Sequence, residues 1–594
     1  MLNVTINDKD VSVETGATIL EAARSAGVQI PTLCNLEHLS PLGACRVCVV
    51  EVEGAKALMA ACATPVRDGM VIHTNSPRAR TARKTVVDLL LSEHEGNCQY
   101  CDRSLDCELR VLSFDLGIQE PMYVGAKPGG QADFSTPALV RDGEKCVKCR
   151  RCVTVCNEVQ QVGALFPQYR GYETVIGPAF AMNLDDVACV QCGQCAAVCP
   201  VGAITERSHM EGVWKALADP DLHVIVQTAP AVRAALGECF GMEPGRLVTG
   251  QMVTALRELG FDGIFDTNFT ADLTIMEEGT ELLTRLKGAL APDDPQLPPP
   301  ALPMFTSCSP GWIKFAEYYF PDMLGHLSTC KSPQQMFGAI AKTYYAEKVG
   351  VDPAKMVVVS VMPCTAKKFE AARSELADSG FQDVDFVLTT RELGRMIQAG
   401  GVDFASLPDG TMDSPLGYSS GAADIFANTG GVMEAALRTA YELVTGRELP
   451  VDNLHVAPVA GLEGVKEAEI QITAPLPDWA FLDGVTVRVA VAHGLGNAAA
   501  VMRAVRSGER TYHFVEVMTC PGGCIGGGGQ PRFTTDAVRL ARINAIYRED
   551  EGKPHRKSHE NPDVLELYAS FLGQPLGEKS HHLLHTNYEA RARV

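Results

Sequence analysis

Eight cysteines between Cys146 and Cys199 fall into two runs of one spacing, C-x2-C-x2-C-x3-C, and they constrain the fold more than anything else in the 594 residues. The first run is Cys146, Cys149, Cys152 and Cys156; the second is Cys189, Cys192, Cys195 and Cys199, followed by Pro200. A cubane of iron and sulfide needs four soft thiolates converging on it; three cysteines at two-residue steps wrap one cluster, and the fourth reaches across to its neighbour. Cys199 is therefore expected to complete the cluster of Cys146, Cys149 and Cys152, and Cys156 that of Cys189, Cys192 and Cys195. Zinc sites also use C-x2-C steps, but zinc needs no third cysteine at the same step. The pattern predicts two 4Fe–4S clusters, and such a pair implies electron transfer.

The length allows several domains with at least one large core. Hydrophobic content of 46% and charged content of 21% suit an ordinary globular protein. A net charge of −20 argues against nucleic acid or an anionic membrane surface, and suits docking on basic or neutral patches of protein partners. MLNVTINDKD has no apolar signal region, and no stretch reaches the length of a membrane span. The 21 cysteines then read as metal ligands in a reducing cytosol rather than as a disulfide framework, so a cytoplasmic protein is expected.

Ahead of the paired runs, residues 2–13 alternate apolar and polar around an Asn-Asp-Lys-Asp turn, as in a hairpin, and Thr18 to Ala26 reads as a short helix stopped by Gly27. Cys34, Cys45, Cys48 and Cys62 follow at C-x10-C-x2-C-x13-C. This resembles a plant-type, β-grasp 2Fe–2S ferredoxin domain (1–78), although the first gap is longer than the plant-type spacing. Next, His94, Cys98, Cys101 and Cys107 suit zinc or a 4Fe–4S cluster by spacing alone. Their place between two cluster domains favours iron–sulfur in a small domain (79–118), because a redox-silent metal would interrupt the wire. With a bacterial-type two-cluster ferredoxin domain (137–210), this order resembles both the large iron–sulfur subunit of respiratory complex I and iron-only (FeFe) hydrogenases, and leaves the choice open.

From about Leu222 strands alternate with helices, predicting a large α/β domain (220–594) in an α/β and α+β multidomain chain. HVIVQTAP, PMFTSC, MVVVSVMPC, VRVAVAHG and HFVEVMTC are candidate strands, and three of them run into Cys308, Cys364 and Cys520. Sites in α/β sheets lie beyond the carboxyl ends of strands, so these motifs are expected to converge. Gly430 to Gly446 holds a helix with Met433, Ala436, Leu437, Ala440, Leu443 and Val444 on one face, and Ala291–Pro303 is a surface loop between a helix and the strand leading to Cys308. Cys239 and Cys330 fit no motif and read as buried structural thiols. The segment His493–Ala499 matches the loose G-x-G-x-x-A dinucleotide pattern, with Glu516 beyond it, but this signal is weak.

TSCSPGW (306–312), MPCTAKKFE (362–370) and EVMTCPGGCIGGGGQP (516–531) resemble the three signatures of the iron-only hydrogenase catalytic domain, as does STCKSPQQMFG between them. The resemblance implies an H-cluster, a 4Fe–4S cubane bridged to a diiron unit with CO, cyanide and dithiolate ligands. It implies Cys364, Cys520 and Cys524 as cubane ligands, Cys524 also bridging. Lys367 and Gln334 would donate to the diiron unit; Pro230, Met362 and Met518 would line its pocket. Glu278, Glu281 and Ser328 would carry protons. The family's usual TSCCPGW has a proton-relaying cysteine, then a ligand. Here Cys308 precedes Ser309, a hard, poor ligand for iron. Either Cys308 ligates and Ser309 relays protons, or Cys308 relays and Ser309 ligates. The implied activity is reversible H2 oxidation after insertion of the diiron unit by maturation enzymes. The expected role is the catalytic subunit of an NAD(P)-linked, flavoprotein-containing complex; the alternatives are a stand-alone ferredoxin-dependent hydrogenase and a non-catalytic electron-transfer or H2-sensing subunit.

Overall fold

The computed structural model describes residues 1–37, 39–124, 127, 132–292, 300–532 and 534–593, in two compact units. One holds residues 1–158, 163–189 and 198–205; the other holds 159–162, 190–197 and 206–594. Of the loop expected over Ala291–Pro303, residues 293–299 lie outside the described residues.

The first unit begins with the expected hairpin, Leu2–Ile6 against Lys9–Val13. Its turn is tighter than the sequence suggested: Asn7 and Asp8 both take positive φ, 46° and 65°, and Lys9 already lies in the strand. Two left-handed residues match the twist of paired strands, and Asn and Asp tolerate that conformation best after glycine. The sheet runs Lys9–Val13, Leu2–Ile6, Val71–His73, Val49–Val52, Met59–Ala60. Helix Ile19–Ser25 opens with a capping box between Thr18 and Glu21 and buries Ile19, Leu20, Ala22 and Ala23 with Val4, Ile6, Val50 and Ile72.

The second unit contains two four-stranded sheets. The first is wholly parallel, in the order Gly263–Asp266, His223–Thr228, Met356–Met362, Phe386–Thr389. The second places Met304–Phe305, Phe514–Met518 and Thr486–His493 parallel, with Val465–Gln471 antiparallel at its edge. The parallel strands are buried nearly throughout, which is why their sequences read as continuous apolar runs rather than alternating ones.

Two helices depart from simple amphipathic expectation. Thr267–Leu290 buries Asn268, Asp272, Glu277, Glu278 and Glu281 as well as its apolar side chains. Gly431–Thr445 ends at Gly446 as predicted, with φ 67°, but Leu443 is exposed and the buried surface includes Glu434 and Arg438. Met433, Ala436, Leu437 and Val444 of the predicted apolar face are buried, and an ion-pair network lies buried beside them. Arg438 donates to both oxygens of Asp550, at 2.9 and 3.0 Å, and to Glu434 at 2.6 Å. Removing one member of a buried network strands the remaining charges. Arg438→Ala is expected to cost about 3–5 kcal/mol, read as a lowered denaturation midpoint.

Candidate active site

Four strands from both sheets end at one cavity. His223–Thr228 delivers Pro230, Met304–Phe305 delivers Cys308 and Ser309, Met356–Met362 delivers Cys364, and Phe514–Met518 delivers Cys520 and Cys524. The walls of this cavity include Gln334, Met362, Lys367 and Met518. Ten of the residues singled out in the sequence thus line one chamber, from segments almost 300 positions apart.

The chamber suits a metal cluster on its own chemistry. Cys364, Cys520 and Cys524 are raised above the ordinary thiol range, foremost by burial, and Cys524 reaches about 12. The charge of Cys364 raises both Cys520 and Cys524 further. Thiols held protonated side by side become thiolates only with a cation between them. Lys367 presents its ammonium at the wall, donating to Glu370 at 2.9 Å and to the Cys308 carbonyl at 3.1 Å.

Gly523 and Gly527 of the third signature line the chamber, and the glycines here also admit backbone from other loops. A Cβ on Gly527 would meet the Pro363 carbonyl at 2.1 Å, and one on Gly528 the Cys192 carbonyl at 2.3 Å. They let the cysteine-bearing loops interlock with one another. Gln194 Nε2 donates to the Gly526 carbonyl and Thr365 Oγ1 to the Gln191 carbonyl, at 3.0 and 2.8 Å. Cys192 and Cys195 therefore lie on a segment packed directly against the Cys364 and Gly526–Gly529 loops, in the same compact unit.

Cys308 and Ser309 point to different neighbours. Burial, then the charge of Glu278, raises the Cys308 thiol well above the ordinary range, opposed by Lys367. Ser309 Oγ meets Thr519 Oγ1 at 2.7 Å and accepts from the Thr519 amide at 3.2 Å, beside Cys520. Behind Cys308, burial and then the charge of Glu281 raise Glu278 to about 8. Ser328 and the Ser307 amide lie beside Glu278, yet neither carboxyl oxygen has a partner in hydrogen-bonding geometry. Ser328 Oγ donates to Glu281 Oε2 at 2.9 Å, and Arg285 donates to Glu281 Oε1 at 2.6 Å. Gln334 Nε2 donates to Glu370 at 3.0 Å and to the Lys367 carbonyl at 3.3 Å, so its donors turn from the chamber while Oε1 is buried without a partner.

In the other unit, Cys146, Cys149, Cys152 and Cys199 line one cavity. The Cys48 and Cys62 sulfurs lie 3.4 Å apart, and Cys34 and Cys45 are buried beside them. His94 Nδ1 meets the Lys145 carbonyl at 2.9 Å, which fixes that nitrogen as the N–H and leaves Nε2 with its lone pair. Cys101 Sγ sits 2.5 Å from where a Cβ on Gly202 would be, so glycine makes room for it. Cys156 Sγ accepts from the Ala164 amide at 3.4 Å; Cys189 is buried.

The dinucleotide pattern fails on geometry. Helix Leu495–Arg506 follows strand Thr486–His493, but Gln160 Oε1 accepts from the Leu495 amide at 3.0 Å, and a Cβ on Gly496 would meet the Val159 carbonyl at 2.9 Å. Residues 159–161 cover the helix N-terminus that a pyrophosphate would need. Glu516 instead accepts from the Gly430 and Met433 amides at 2.6 and 2.7 Å, at the start of another helix.

Buried thiols at the ends of parallel strands, with a cation at the wall and cysteine-rich segments beside them, define an iron–sulfur oxidoreductase. Residues 222–528 match the iron-only hydrogenase large subunit, C-terminal domain, and 536–591 match the iron hydrogenase small subunit. The chain is 54% identical over 600 residues to the NADP-reducing hydrogenase subunit HndD of Solidesulfovibrio fructosivorans, covering 100% of both. It is 41% identical to iron hydrogenase 1 of Clostridium pasteurianum, across 99% of this chain and 100% of that one. The solved FeFe-hydrogenase HydA1 of Chlamydomonas reinhardtii superposes with a TM-score of 0.58 at 47% identity, over 65% of this chain and 99% of that one. The chain belongs to the iron-only hydrogenase family. Residues 1–77 match a 2Fe-2S iron-sulfur cluster binding domain, 83–121 the NADH-ubiquinone oxidoreductase-G iron-sulfur binding region, and 145–203 a 4Fe-4S dicluster domain.

The small-subunit match, residues 536–591, falls inside the catalytic domain expected over 220–594, and no motif in the sequence marks it off. Here that segment is continuous with the rest and tied into the second unit by Arg438–Asp550, and by Arg542 to Glu238 at 2.7 Å. Among the described residues, no helix is long and apolar enough to cross a membrane.

Proposed function

We propose that this chain is the catalytic subunit of an NAD(P)-linked hydrogenase complex of the cytoplasm, taking up or evolving H2 and exchanging electrons with flavin-bearing, NAD(P)-binding partner subunits. The observation that carries the catalytic reading is the single chamber holding Cys308, Cys364, Cys520, Cys524 and Lys367. The linkage to NADP rests on the end-to-end similarity to a relative of that name. Ferredoxin as sole partner is the competing arrangement. Purification of the native protein decides between them: co-purifying flavoproteins and NAD(P)-dependent H2 turnover are expected, and a monomer reacting with ferredoxin alone would refute the complex.

In this reading Cys34, Cys45, Cys48 and Cys62 hold a 2Fe–2S cluster in a β-grasp domain. His94 through Nε2, with Cys98, Cys101 and Cys107, holds a 4Fe–4S cluster. The crossed sets Cys146/Cys149/Cys152/Cys199 and Cys156/Cys189/Cys192/Cys195 hold two more. Cys364, Cys520 and Cys524 hold the H-cluster, which when bound supplies an open iron site where two protons and two electrons interconvert with H2. Pro230, Met362 and Met518 keep water from that site, and Lys367 Nζ sets a positive charge against its anionic ligands. Protein made without the maturation enzymes is expected to be brown and inactive. Fully matured protein should contain on the order of twenty iron atoms per chain.

The proton route runs along Cys308 Sγ, Glu278, Ser328 Oγ and Glu281. Glu278 has a folded-state value of about 8, well above an ordinary carboxyl, so it is neutral and able to donate at neutral pH. Raising the pH through about 8 ionises it, and H2 evolution from reduced viologen is expected to fall over that interval. A rate independent of pH across that window, with cluster content constant, would remove Glu278 from the route.

A further inference from the structure

Outside the chamber, three buried side chains of different types meet. Glu281, Cys330 and His585 each offer a ligand atom, and the three atoms lie within 4.8 Å of one another. Cys330 Sγ is 3.8 Å from Glu281 Oε2 and 4.0 Å from His585 Nδ1. In a tetrahedral zinc site, bond lengths near 2.3 Å to sulfur and 2.0 Å to nitrogen put the ligand atoms about 3.6 Å apart. The pocket is thus within a few tenths of an ångström of zinc geometry on two of its edges.

Backbone pairing makes this meeting a fixed feature. Cys330 and His585 form an antiparallel bridge, flanked by the Lys331 amide on the Leu584 carbonyl at 2.8 Å and the Thr586 amide on the Thr329 carbonyl at 2.7 Å. The imidazole is oriented as a metal ligand would be. Its Nε2 meets Glu277 Oε2 at 3.2 Å, and Glu277 also accepts from Tyr568 OH at 2.6 Å and the Leu576 amide at 2.8 Å. A carboxylate with that company holds the proton on Nε2. The lone pair of Nδ1 then faces Thr329 Oγ1, at 2.8 Å, and Cys330 Sγ. Carboxylate, imidazole and metal in line are the usual arrangement behind a histidine ligand.

We infer that Glu281 Oε2, Cys330 Sγ and His585 Nδ1 form a binding site for a borderline-soft divalent cation, Zn²⁺ foremost, and that filling it arrests proton transfer. Thiolate, imidazole and carboxylate are the ligands such an ion selects. Binding expels the Cys330 thiol proton and displaces the Thr329 hydroxyl; thiolate and carboxylate together balance the ion's charge. The arrest rests on the reading of Glu281 as a proton carrier, because Oε2 is the oxygen that Ser328 donates to. The entry side is given by His581, an exposed ring stacked on His585 at 4.7 Å between centroids.

Equilibrium dialysis of the matured, iron-replete full chain against Zn²⁺, with elemental analysis, reads the site by itself. One zinc per chain should bind to the wild type and be lost in Cys330→Ala and in His585→Gln; Cys330→Ser, which keeps the size, guards against a folding defect. Viologen-coupled turnover with and without Zn²⁺ reads the arrest. The half-inhibitory concentration should rise at least about tenfold in Cys330→Ser. Equal zinc uptake by wild type and both variant types would overturn the site. Zinc bound there with unchanged turnover would overturn its hold on proton transfer. Turnover in zinc-free buffer tests the hydrogenase reading separately.

Discussion

Glu281→Gln is expected to lower H2 turnover by about 10²–10⁴-fold while leaving iron content and cluster spectra unchanged. The substituted amide would keep the size of the side chain and a carbonyl to accept from Ser328 Oγ and the Thr329 amide, which now bond Glu281 at 2.9 and 3.1 Å. It would lose the capacity to take up and release a proton. The change also removes the anion that pairs with Arg285, so a modest loss of stability accompanies it. The control is electron transfer into the accessory clusters, which does not pass through Glu281. Turnover within a factor of two of wild type would show that protons leave by another path.

Cys308→Ala should slow turnover by a comparable factor and keep the spectroscopic signature of the H-cluster. The reason lies in the two sets of neighbours. Cys308 lies among Glu278, Lys367 and Cys524, on the side from which protons would arrive, whereas Ser309 is held by Thr519 next to Cys520. These neighbours favour the proposal that Cys308 carries the proton and Ser309 Oγ stands at the cubane ligand's place. Loss of the H-cluster signature in Cys308→Ala would reverse the assignment and make Cys308 the ligand. Ser309→Cys, which restores the family's cysteine pair, should then be the silent change.

The strands that end in Cys308, Cys364 and Cys520 were legible because buried parallel strands leave continuous apolar runs that stop abruptly at polar motifs. Helix Ile19–Ser25 was legible for a different reason, a capping residue at Thr18 and a glycine at the far end. The helix of Glu278 and Glu281 was less so. Its buried surface mixes carboxylates with leucines, so periodicity alone describes it poorly, and the family match had to supply the roles. Arg438, Asp550 and Glu434 left no signal, since charged residues in a sequence read as surface until their partners are known. The cation pocket is the same case: Cys330 and His585 are 255 positions apart, and each alone is an unremarkable core residue.

Ligand chemistry and local spacing are properties of the chain itself. Thiolates at fixed steps select iron–sulfur clusters whatever the surrounding fold, and a glycine or a cap acts within a few residues. The sequence therefore determined by itself that this protein handles electrons, and its three signatures carried the resemblance to iron-only hydrogenases. Burial, by contrast, is decided only when distant segments meet. The tertiary structure alone set Glu278 as a neutral acid, turned Ser309 toward Thr519, and closed the start of helix Leu495–Arg506 to nucleotides with Gln160. It also interlocked Gly527 and Gly528 with backbone from two other loops and brought Cys330 to His585, because desolvation and close contact depend on neighbours that no local pattern specifies.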